Sequence, residues 1–116
     1  SYLGQGNAPA KFTASFRWTT KLPPITAFRL ELMTDPNLPR GGPGRSSKGT
    51  CALSEFEIDA APATDPAKVT RVKFSDASSD FDQPDAALEK EFDDHTGKPR
   101  MTGGAKFAID GKDDTA

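Results

Sequence analysis

Cysteine, histidine, tryptophan and tyrosine are almost missing from these 116 residues. The chain holds one Cys, one His, one Trp, one Tyr and two Met. A single Cys51 excludes an internal disulfide and a thiolate zinc cluster. It lies in Gly49-Thr50-Cys51-Ala52-Leu53 with no histidine beside it, and reads as a small buried thiol rather than a nucleophile. With His95 the one histidine and no serine elbow in the chain, a catalytic triad has no basis; an exposed loop histidine is the plain reading. The CxxCH haem attachment pattern is absent too. Long apolar runs are also lacking. Hydrophobic residues make up 34% and mean hydropathy is −0.61. No stretch nears the ~20 apolar residues of a membrane span.

What is plentiful is turn chemistry. Ten Gly and ten Pro argue against a helical bundle and for a turn-rich β protein, and eight Phe suffice to seed a core. The length allows one domain, residues 1–116. The chain begins without an initiator Met or a signal peptide, so it is expected to be part of something longer. The net charge of −2 gives no general attraction to nucleic acid. That charge is unevenly spread. Residues 1–74 hold ten basic and six acidic side chains, and 75–116 hold five and eleven. The acidic half faces a cation, a basic neighbour or, most simply, water.

Period-two patterning recurs along the chain. Phe12, Ala14, Phe16 and Trp18 alternate with Thr13, Ser15, Arg17 and Thr19, which predicts a half-buried strand ended by Leu22-Pro23-Pro24. A second strand is expected over 25–33, with Phe28, Leu30 and Leu32 inward. A third is expected over 51–59, with Ala52, Ser54, Phe56 and Ile58 on one side. Val72 and Phe74 mark a fourth over 69–75, and 106–110 a short fifth. Asp82-Gln83-Pro84-Asp85 predicts a short helix near 84–92 with Leu88 and Phe92 on one face. The fold class that follows is all-β, an antiparallel β-sandwich or jelly roll with one short helix.

Three places invite chemistry. The loop 34–50 is long for a compact domain, and such loops are functional or disordered. Gly44 to Gly49 has phosphate-loop separation, but Lys48 precedes the glycine and a strand follows, so that reading fails. A backbone needing positive φ at Gly41, Gly42 and Gly44 explains the glycines, and the flanking Arg40 and Arg45 suit a carboxylate from a neighbouring segment. The segment Ile109-Asp110-Gly111-Lys112-Asp113-Asp114-Thr115 gathers oxygen donors of the kind calcium takes, or is simply an acidic turn. Acids are plentiful, yet nothing singles out a glycosidase-type pair.

Two stretches carry a resemblance. Ile25-Thr26-Ala27-Phe28-Arg29-Leu30-Glu31-Leu32, Asp35-Pro36-Asn37-Leu38-Pro39, Gly41-Gly42-Pro43-Gly44-Arg45 and Leu53-Ser54-Glu55-Phe56-Glu57 together resemble the middle module of large planctomycete-type, cytochrome c-associated multidomain proteins. The ending Asp110-Gly111 to Thr115 is similar to the discoidin, or galactose-binding-like, fold of many carbohydrate-binding modules, although the tryptophan that usually follows the threonine is not present. The resemblance implies a partial sandwich whose remaining strands come from other polypeptide of the parent. It also implies an exported parent, periplasmic or extracellular, and a structural calcium held by Asp110, Asp113 and Thr115, although Lys112 stands where a further acid is commoner.

Three functions follow. A non-catalytic carbohydrate-binding module needs an aromatic platform, for which Trp18 and Tyr2 are the candidates, although Trp18 runs in phase with Phe12 and Phe16 and reads better as core. A structural spacer would brace neighbouring catalytic or haem domains through Arg40 and Arg45. An enzyme would need converging acid, base and pocket, and no such set is visible.

Overall fold

The computed structural model describes residues 1–7, 9, 11–22, 24–89 and 96–116. The chain divides into two compact units, Ser1–Cys51 and Ala52–Ala116.

In Ser1–Cys51 no strand forms among the described residues. The alternating stretches 11–20 and 25–33 remain without ladder pairing, and most of their large apolar side chains stand in solvent, with Phe12 67% and Leu32 54% exposed, while Phe28 is half-buried. Alternation distinguishes two sides of a chain, but a strand also needs a second chain to receive its N–H and C=O groups. No described segment takes that place. The loop of this unit is held by hydrogen bonds. The Asp35 carboxylate accepts from the Asn37 backbone N–H at 2.8 Å and from its side-chain amide at 3.0 Å. The Asp35 N–H donates to Gly41 O at 2.9 Å, around the one-turn 3-10 helix Pro39–Gly41. A second turn follows the cis Gly42-Pro43 bond. There Gly44 N–H donates to Gly49 O, Gly49 N–H to Ser46 O, and Thr50 N–H to Ser46 Oγ, at 2.7, 2.9 and 2.9 Å. Gly44 and Gly49 are both buried.

The unit Ala52–Ala116 realises part of the expected pattern. β1 (Asp59–Ala60) pairs antiparallel with β2 (Thr70–Arg71), Asp59 opposite Arg71, and Val72 N–H extends the pairing to Ile58 O at 2.8 Å. Phe56, Ile58, Val72 and Phe74 are all half-buried, and the Phe56 and Phe74 ring centroids lie 5.7 Å apart. On the outer side Arg71 meets Asp59, Nε to Oδ1 at 2.6 Å, and also Glu57. A second ribbon joins β3 (Ala86–Ala87) to β4 (Met101–Thr102). A parallel bridge from Met101 to Thr115 adds the end of the chain to its edge.

These observations overturn the expected sandwich. Two two-stranded antiparallel sheets and scant 3-10 helix replace two packed layers. No apolar side chain among the described residues is fully buried, so there is no inter-sheet core to hold layers together. The fifth strand is a 3-10 helix, Ala105–Ile109, because Phe107, Ala108 and Ile109 are half-buried in succession rather than alternately. Where a helix was expected near 84–92, Ala86 and Ala87 form β3; Phe92 and His95 lie outside the described residues. Cys51 is exposed rather than buried, although the atoms packed around its thiol push its pKa up.

Candidate functional site

In Ser1–Cys51 the aromatic side chains collect near the beginning of the chain. Tyr2 and Phe16 meet edge to face, ring centroids 5.5 Å apart at 72°. With Phe12, Thr13, Ala14 and Ser15 they line an open cleft of about 210 Å³. That is smaller than the ~300–1,000 Å³ of enclosed ligand pockets, so it suits a molecule lying along the surface. The cleft combines aromatic faces with two hydroxyl-bearing residues. Trp18, two residues beyond Phe16, is 58% exposed rather than part of a core. Tyr2 and Trp18 are the platform candidates of the sequence, and the exposure of Trp18 corrects the reading of it as core. Phe12 and Phe16 were expected inside, and their place on the surface is the part that periodicity hides.

Arg40 and Arg45 stand in different settings. Arg45 donates to the carbonyl of Gly6, fixing the loop against the first residues of the unit. Arg40 is exposed and holds φ 55°, ψ 22°, inside the 3-10 turn. Left-handed backbone at a residue with a Cβ costs about 1–2 kcal/mol, which the surrounding hydrogen bonds must hold in place. Positive φ falls at Gly41 and Gly42 as expected, but at Gly49 in place of Gly44.

At the far end of the second unit, Asp110 and Thr115 come together. Thr115 is buried at 9% exposure, and its hydroxyl donates to both Asp110 carboxylate oxygens at 3.1 and 3.0 Å. The Lys112 N–H is shared between Asp110 Oδ1 at 2.9 Å and Glu55 Oε1 at 2.7 Å. Two of the three expected calcium donors therefore meet as acceptor and proton donor, and Asp113 is exposed. Among the described residues no three acidic, His or Cys side chains converge. Calcium takes six to eight oxygens, so a cation here would have to displace Thr115 and Lys112 from the Asp110 carboxylate.

A neighbouring clasp gave no sequence signal. Asp82 accepts from the Ser79 hydroxyl and from the Ala105 N–H, the latter at 2.9 Å at the start of the 3-10 helix. These bonds, the Ser79 one foremost, hold its carboxyl below the usual range. Lys106 pairs with Asp85 at 2.8 Å beside it.

Family profiles, curated proteins and solved structures yield no match to this chain. Among the described residues no helix is long and apolar enough to cross a membrane.

Proposed function

We propose that the chain is a non-catalytic glycan-binding segment that holds sugar along the open aromatic surface of Ser1–Cys51. The observation that carries this is the exposure of Tyr2, Phe12, Phe16 and Trp18, the first three of which line the cleft together with Thr13 and Ser15. Sugars present apolar C–H faces and a rim of hydroxyls. Aromatic rings receive the first and short polar side chains the second. The sandwich form of such modules is not part of this proposal. The exported location and the cytochrome-associated parent belong to it through the resemblance alone. The test is a glycan array on the purified chain, with and without calcium, followed by titration of the best ligand. Trp18→Ala and Tyr2→Ala should each weaken binding at least fivefold, and a flat array would retire the reading. Dependence on calcium that Asp110→Asn removes would point to the Asp110 turn as its site.

A second reading has its own observation. The internally bonded loop 34–50 presents Arg40 from a fixed backbone, as a docking contact on an adjoining domain would require. Cross-linking in the parent protein should then place Arg40, not Trp18, at a domain contact.

A further inference from the structure

We infer that the glycan is acidic, a polysaccharide in which carboxylated or sulfated sugars are interspersed with neutral ones; this rests on the glycan-binding reading above. The overall charge of −2 conceals a sharp division between the two units. Ser1–Cys51 carries seven basic side chains and only two acidic, while Ala52–Ala116 carries eight and fifteen. The cations of the first unit run through the aromatic stretch. Lys11 stands beside Phe12 and Arg17 between Phe16 and Trp18, with Lys21 and Arg29 further on. The two acids are committed within the unit. Glu31 pairs with Arg29 at 2.9 Å, and Asp35 caps the loop through Asn37. Taken by itself the first unit is net positive, and its own charge favours anions near the aromatic stretch.

The spacing of the charge chooses among polyanions. Lys11, Arg17 and Lys21 lie four to six positions apart, and Arg29, eight further on, is paired with Glu31, so the charge is sparse. A nucleic acid strand carries a phosphate at every nucleotide and is normally met by a dense basic groove. A glycan with acidic sugars at intervals matches sparse cations, and its neutral sugars match a cleft that Thr13 and Ser15 help to line.

The test uses the full chain and two matched pairs of polymers, each differing only in charge. These are partly methyl-esterified polygalacturonate against its fully methyl-esterified form, and lightly sulfated dextran against dextran, titrated at 50 and 500 mM salt. We expect at least tenfold tighter binding to the charged member of one pair, lost at high salt, and the pair identifies carboxylate or sulfate as the group. Arg17→Ala with Lys21→Ala should remove that preference while leaving the circular dichroism spectrum unchanged, and Trp18→Ala should weaken both members alike. Equal affinity within both pairs, or neutral array glycans bound while neither charged polymer is, overturns the acidic preference and leaves the glycan reading standing. A single-stranded oligonucleotide bound more tightly than either charged polymer overturns it in favour of nucleic acid. No binding to any polymer or array glycan removes the glycan reading, and this inference with it.

Discussion

A Cβ at position 49 would press on the Pro39 carbonyl, and Gly49 also holds φ +77°. Gly41 has a similar φ of +84° but open space around it. The two positions separate backbone strain from collision. Gly41→Ala should cost about 1 kcal/mol, the strain alone. Gly49→Ala should cost more, ~2 kcal/mol or above, and release the Gly44 and Gly49 amides to faster hydrogen exchange. Equal exchange in both variants would show that the loop yields around position 49. Asp82 supplies a pH dependence at the same scale. Its pKa is lower folded than unfolded, so its contribution is fully present above the unfolded value of ~3.9 and is lost as pH falls through the folded one. The Ala105 amide shift should therefore titrate with a midpoint below ~3.9, and Asp82→Asn should abolish that transition.

At the scale of elements, the two ribbons rest on different contacts. β1 and β2 have an inner side of Phe56, Ile58, Val72 and Phe74 and an outer side where Arg71 meets Glu57 and Asp59. The ion pairs are solvent-exposed and screened, while half-burial of a Phe ring is worth a fraction of the 3–5 kcal/mol seen for fully buried aromatics. Phe56→Ala should thus loosen the ribbon, read as faster exchange of the Val72 amide, more than Arg71→Ala does. At the other ribbon Thr115→Val removes the hydroxyl that Asp110 accepts from. A loss of about 1 kcal/mol is expected, with Thr115→Ser largely neutral. This ribbon also marks where sequence reading stops. The alternation in 51–59 and 69–75 was legible and finds real pairing at its ends, because each stretch has the other as partner. The equally clean alternation in 11–20 finds none, since a period-two pattern says which side is apolar and nothing about what faces it. Ala86-Ala87 against Met101-Thr102 carries no pattern, so that ribbon was invisible. Thr115 and Asp110 were visible as oxygen donors, but donors from an acidic turn satisfy one another as readily as they hold a cation.

At the scale of the whole molecule, the distribution of apolar surface and charge sets the behaviour. Phe12, Phe16, Trp18, Leu22, Leu30 and Leu32 are 50–71% exposed, so they do little for the folded state of the chain by itself. Replacing a solvent-facing apolar side chain by a charged one removes little packing, whereas the same change at a half-buried ring exposes a charge to desolvation. Phe12→Asp and Leu30→Asp should therefore leave the unfolding free energy of the chain within about 0.5 kcal/mol, while Phe74→Asp should lower it by ~2 kcal/mol or more. The first two should also raise solubility and diminish the binding of a hydrophobic dye, because they interrupt the apolar stretch that solvent meets. Urea titration of the three variants, followed by circular dichroism and dye fluorescence, reads both effects. If Phe12→Asp proved as damaging as Phe74→Asp, residues 11–20 would be packed in solution, and the aromatic surface on which a sugar is proposed to lie would not be open.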